Sequence, residues 1–227
     1  MRRAAEYGMM SPNKTLRITA ERLGESGMTK IITISREYGA GGHSIGRQVA
    51  EKLGIPFYDR DIVRETAKTS GFDPELIENE EEDISKSDSI WRSICSASST
   101  YFHDTQAEIH DVQQAIILRL AQQGPCVILG RCADEILRTS GIPCLNVFIH
   151  ASDIHRVERV RELTGETNPT ELQRIMAKKD AMRRNYYVHY TGKQWGDSHN
   201  FHLSLDSGVL GYDLCVELIV AAARGMR

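Results

Sequence analysis

Residues suited to phosphate chemistry stand closest together in Arg36-Glu37-Tyr38-Gly39-Ala40-Gly41-Gly42-His43-Ser44, directly after the β-branched run Ile31-Ile32-Thr33-Ile34. Glycines at 39, 41 and 42 permit positive φ and let backbone N–H groups come close to an anion. Ile45, Val49, Ala50 and Leu53 then recur at helical spacing. A helix is therefore expected to start near His43 and Ser44, with its first-turn N–H groups aimed at the same anion. Strand, glycine loop and helix in this order form the layout of a nucleotide phosphate site, and Gly39, Ala40, Gly41, Gly42, His43 and Ser44 are its candidate contacts. A glycine-rich turn that binds nothing has the same composition, so both readings stand at this point.

The pattern G-x-x-x-x-G-K-[ST] of a P-loop fits only in part. Its first glycine falls on Arg36, its last on Gly41 and its lysine on Gly42, with the hydroxyl at His43, or at Ser44 if one residue is inserted. The lysine that normally meets the terminal phosphates is missing. Either another cation supplies that charge, with Arg36 the nearest candidate, or phosphoryl transfer is weak or absent.

Charged residues gather at three further places. Pro56 is expected to begin a short second strand, which puts Asp59 at its carboxyl end. There Asp59, Arg60, Asp61 and Arg64 either face an acceptor or form surface ion pairs. A buried strand over 126–129 ends in Gly130-Arg131-Cys132-Ala133-Asp134, with Arg131 suited to a bidentate phosphate contact. Asn168-Pro169-Thr170-Glu171 has the N-cap, first-turn proline and capping-box glutamate of a helix start. That helix carries Lys179 and Arg183 on one face and Asp180 with Arg184 as a pair on the next. Its basic face reads either as a solvated surface or as the tip of a lid over phosphate.

The elements that must position these groups alternate between strand and helix patterns. A helix is expected over 107–123, closed by Gly124-Pro125, then a strand over 145–149 and a helix capped by Asp153. Tyr186 to Asp197 reads as an aromatic-rich loop, 201–206 as a last strand and 212–223 as an apolar closing helix. Residues 1–29 contain no apolar secretory core and read as an extension before a natural start at Met28. Residues 70–100 turn acidic and then serine-rich, the pattern of an exposed segment.

The 227 residues carry a formal net charge of −3 with the two signs well mixed, which argues against broad nucleic-acid or membrane-surface binding. Five scattered cysteines, with no C-x-x-C pair, read as reduced thiols of a cytoplasmic protein. Neither they nor the histidines have metal-ligand spacing. Nothing in the sequence specifies an oligomeric state.

From about residue 30 to the C-terminus the chain resembles the cytidylate kinase-like family of P-loop proteins. The resemblance rests on Ser35 to Gly42, Tyr58-Asp59, Gly130 to Asp134 and Tyr190 to Asp197. It implies an α/β, P-loop NTPase-type three-layer fold with a five-stranded parallel sheet, adenylate/cytidylate-kinase-like. One domain over 30–227 would then hold an acceptor-binding region at about 58–105 and a helical lid at about 162–197. Cytidylate kinases move the terminal phosphoryl group of ATP to CMP or dCMP with Mg²⁺, so ATP, Mg²⁺ and small nucleotide substrates are implied here. Ser44 matches the metal-side hydroxyl, while Asp59, Arg64, Arg131 and Asp134 fall on the acceptor side. Lid positions match at Lys179, Asp180, Arg184 and Asn185, and Lys179 and Arg184, together with Arg36 and Arg183 from the spacing above, are the candidate catalytic cations. Two departures count against a plain cytidylate kinase. Gly42-His43-Ser44 stands where those enzymes have Lys-Gly-Thr, and Leu129 and Cys132 stand where their acceptor motif has aspartates. A kinase of another small acceptor and a nucleotide-binding regulatory protein without turnover are the alternatives.

Overall fold

The β-branched and aliphatic runs form a single parallel sheet, because strands covered on both faces need continuous apolar sequence. The computed structural model of the protein describes residues 31–59 and 99–226, and of residues 99–109 and 112 it describes the backbone. Strand β1 (Ile31–Arg36) leads into helix α1 (Gly42–Leu53) and the short β2 (Phe57–Tyr58). Helix α2 (Ser99–Gln123), β3 (Val127–Leu129), α3 (Ala133–Thr139) and β4 (Cys144–His150) follow. Helices α4 (Asp153–Thr164) and α5 (Pro169–Thr191), a 3₁₀ turn (Ser198–Asn200), β5 (Leu203–Asp206) and α6 (Ser207–Gly225) complete the described chain. The sheet order is β2-β3-β1-β4-β5, every pair parallel.

Alternation along each strand separates two cores. Ile32, Ile34, Val127, Leu129 and Val147 pack with Ile45 and Val49 of α1 and with Ile219 and Val220 of α6. Ile31 and Ile128 point the other way, onto Ile116 and Ile117 of α2 and Leu137 of α3. The result is the expected three-layer α/β fold. The chain passes from β1 outward to β2, returns to β3 beside β1, and then crosses to β4 on β1's other side. The carboxyl end of β1 is therefore the topological switch point, where open α/β sheets leave a crevice.

The ends of several helices differ from the local reading. The helix expected at 107–123 starts at Ser99. Ser152, not Asp153, holds the N-cap position of α4, and Asp153 instead accepts a hydrogen bond from Arg156 Nη2 at 2.7 Å. Asn168 caps α5 as expected, accepting from the N–H groups of Thr170 and Glu171. The capping box does not close, because Glu166 Oε1 accepts the Asn168 N–H at 2.8 Å and Glu171 bonds Arg174. Tyr186, Tyr187 and Tyr190 belong to α5, which runs on to Thr191 and leaves only 192–197 as loop. The proposed extension (1–29), Arg60, Asp61, Arg64, Cys95 and nearly all of 70–100 lie outside the described residues.

Candidate functional site

The glycine loop closes off the end of β1 and starts α1. Gly39 and Gly41 take φ of 83° and 75°, and Gly41 occupies the N-cap position of α1. A side chain at Gly41 would be strained by that φ and would run into the Tyr212 phenol. The loop is held from the β4–β5 side of the sheet. Ser207 Oγ donates to Ala40 O at 2.7 Å, and Glu37 N donates to Ile149 O at 3.0 Å. Within the turn, Ala40 N donates to Glu37 O and Ile45 N to Gly41 O. The N–H groups of Gly39, Gly41, Gly42 and Ser44 find no acceptor among the described residues. Open amides, a left-handed turn and a helix N-terminus together make an anion cradle. Such a cradle could hold the phosphates of a nucleotide, and the Ser44 hydroxyl, in the first turn of α1, is the group beside it that could hold a metal ion.

On the acceptor side, Asp59 follows β2 as expected. Its Oδ2 lies 3.3 Å from His43 Nε2, and the His43 ring stands edge-on to Phe57 at 5.3 Å. The turn after β3 departs from ordinary geometry: Gly130, Arg131 and Cys132 all take left-handed φ, of 73°, 60° and 53°. Two consecutive non-glycine residues in that region cost on the order of 1–3 kcal/mol each, a strain that clusters at functional turns. Gly130 N donates to Ile34 O at 2.9 Å, which ties this turn to the end of β1. Asp134 is only 5 % exposed and accepts a hydrogen bond from the Tyr187 hydroxyl at 2.8 Å. Burial pushes its carboxyl above the usual range, opposed by the bond from Tyr187. The structure thus commits Asp134 to α5 packing rather than to an open acceptor face.

Helix α5 presses its basic face onto the glycine loop. Lys179 Nζ and the Arg183 guanidinium sit over the Tyr38 ring, 5.9 and 5.4 Å from its centre, and Arg183 Nη1 donates to Arg36 O at 3.2 Å. The expected Asp180–Arg184 pair does not form. Asp180 turns inward, accepts the Tyr38 N–H at 2.7 Å and binds Arg156 Nη1 at 2.5 Å. Arg184 faces Trp195, 5.8 Å from its ring, away from Lys179 and Arg183. The described carboxyl edge therefore gathers Arg36, the glycine loop, Asp59, Arg131, Lys179 and Arg183, and leaves Asp134 and Arg184 to the aromatic packing around α5.

Sequence reasoning missed Arg156. It is 9 % exposed, donates to Asp153 and Asp180, and has Glu37 Oε2 at 3.7 Å from Nε, so it joins α4, α5 and the loop. Only the Asp153–Arg156 spacing of three residues hinted at it. The aromatic cluster of Phe148, Tyr187 and Phe201, with Tyr186, Tyr190 and Trp195 against it, forms the satellite core beyond the sheet edge.

Comparison with known proteins agrees with this geometry. Residues 31–209 match the sequence profile of the cytidylate kinase-like family. An uncharacterized protein from Eubacterium ventriosum superposes with a TM-score of 0.65 at 25 % identity, covering 87 % of this chain and 99 % of its own. TT1252 from Thermus thermophilus gives a TM-score of 0.55 at 14 % identity, covering 88 % of this chain and all of its own, a likeness of fold alone. No curated protein matches the sequence. Among the described residues, no helix is long and apolar enough to cross a membrane.

Proposed function

The chain belongs to the cytidylate kinase-like family, and from that premise we propose that it transfers the γ-phosphoryl group of ATP to a small acceptor, CMP or dCMP first among them. The observation that carries this reading is the cradle of open amides at Gly39, Gly41, Gly42 and Ser44 at the sheet's switch point. Those amides and Arg36 hold the phosphates, Lys179 and Arg183 approach from α5, and Arg131 meets the acceptor phosphate. Mg²⁺, when bound beside Ser44, neutralises charge on the phosphate oxygens. A nucleoside monophosphate needs no base, because its phosphate oxygen is already nucleophilic, so positioning and charge carry the chemistry.

A second reading, a small hydroxylated acceptor, is favoured by the Asp59–His43 pair. An alcohol must lose its proton as the new O–P bond forms, and a carboxylate at the end of β2 is the group type that accepts it. The test is ADP formation with Mg·ATP against a panel of nucleoside monophosphates and small polyols or hydroxy acids. Turnover with CMP or dCMP supports the first reading, and turnover confined to alcohols, abolished in Asp59→Asn, supports the second. Tight ATP binding without turnover on any acceptor sinks the kinase reading.

A further inference from the structure

Resting on the phosphate-site reading above, we infer that the cation and the glycine of the P-loop have exchanged places in this chain, so that Arg36 and Gly42 act as one unit. In the pattern G-x-x-x-x-G-K-[ST], Arg36 stands on the first glycine and Gly42 on the lysine. The structure shows why the two changes go together. A Cβ on Gly42 would lie 2.6 Å from Arg36 Cβ and 2.8 Å from its Cγ, so the stem of Arg36 fills the space through which a residue-42 side chain would leave the loop. Both atoms sit close to the Arg36 backbone, which its own strand pairing and the Arg183 hydrogen bond hold in place, so the stem cannot swing clear.

The other end of the side chain meets a second glycine. A Cβ on Gly130 would lie 2.5 Å from Arg36 Nη1. The guanidinium therefore runs from the start of α1 across to the turn after β3, where the acceptor-side Arg131 follows. Gly42 in α1 has ordinary helical geometry and needs no positive φ, so backbone conformation does not require its glycine; the passage of Arg36 does. Arg36 delivers its charge from the strand end, between the triphosphate cradle and the acceptor turn, whereas a P-loop lysine delivers it from the helix. Its planar fork also suits two phosphate oxygens at once, which a lysine cannot match. Arg36 is thus placed as a catalytic cation, with Gly42 as the positioning residue.

The decisive experiment is a reciprocal exchange, comparing wild type with Arg36→Gly, Gly42→Lys and the double variant. Each is followed by Mg·ATP titration, by thermal unfolding to establish folding, and by ADP formation on any acceptor that the wild type turns over. Each single variant should bind ATP at least tenfold more weakly, about 1.4 kcal/mol, the first for want of a cation and the second because two stems compete for one space. The double variant, which restores the glycine and the lysine to their P-loop places, should bind more tightly than either single one. Gly42→Ala gives a milder control, harmful in the wild type and neutral in the Arg36→Gly background. Gly42→Lys binding as tightly as wild type, a double variant no better than the singles, or Gly42→Ala equally harmful in both backgrounds would overturn the inference while leaving the kinase reading intact. Absence of ATP binding by the wild type would instead remove the reading on which it rests.

Discussion

Asp180→Ala should cost the protein about 3 kcal/mol. Asp180 joins three parts of the molecule: its side chain is 8 % exposed, it accepts the Tyr38 N–H at 2.7 Å, and it binds the Arg156 guanidinium, itself 10 % exposed. Removing one partner of a buried ion pair costs about 3–5 kcal/mol, because the other charge stays buried. Here Arg156 keeps Asp153 at 2.7 Å and Glu37 at 3.7 Å, which holds the loss to the lower end of that range. At about 2–4 °C per kcal/mol for a chain of this size, the melting temperature should fall by about 6–12 °C. Asp180→Asn keeps an acceptor for Tyr38 and should lose about half as much. Replacing both members, as in Arg156→Met with Asp180→Leu, should cost less than Asp180→Ala alone, since no unpaired charge is left inside. Calorimetry measures the shift, and hydrogen exchange at the Tyr38 amide, which loses its acceptor, localises it. A melting temperature within 2 °C of wild type for Asp180→Ala, or an unchanged Tyr38 amide, would refute the claim that this carboxylate fastens α5 to the phosphate loop.

Two further outcomes follow from the packing around α3. Hydrogen bonds from Arg138, together with Lys193, lower the Glu135 carboxyl to about 2 from its ordinary 4.5, against a smaller opposing effect of burial. Since the folded value is the depressed one, this stabilisation is present above about pH 4.5 and is lost as pH falls toward 2. Glu135→Gln should therefore lower the melting temperature by a few degrees at neutral pH, roughly 1 kcal/mol after allowing for the exposed Arg138, and the difference from wild type should shrink steadily below pH 4.5. The thiols of Cys126 and Cys144 are buried, and burial pushes each up to about 12; that of Cys132 is pushed higher still. In native protein at pH 8 these three should resist alkylation and react on unfolding, as peptide mass mapping would show; rapid native labelling of any of them would contradict the burial.

Much of the fold was legible because period and punctuation are local properties. The run Ile31 to Ile34, the glycines after it and the helical spacing of Ile45, Val49 and Ala50 specified β1, the loop and α1 within a residue or two. Pro56 likewise announced the short β2, which begins at Phe57. The loop's geometry was legible for the same reason: glycine at 39 and 41 announces a turn through positive φ. What the sequence could not show was which charges meet. Asp180 looked like a partner for Arg184 because they lie four apart on one helix, yet it turned to Arg156, 24 residues away and reachable only once α4 and α5 pack. Asp134, placed at a strand end, went to Tyr187 for the same reason.

The sequence by itself thus determined the parallel α/β architecture, the position of the glycine loop and the absence of a lysine at position 42. Each of these follows from residue type and spacing along the chain. Only the tertiary structure decided that Gly42 is bare because the stem of Arg36 passes over it, and that the Arg36 guanidinium lies against Gly130, 94 residues further on, whose left-handed φ by itself favours glycine. The first contact exists only once the glycine loop folds the start of α1 back over the end of β1, and the second only when β1 and β3 lie side by side, so neither has a one-dimensional signature.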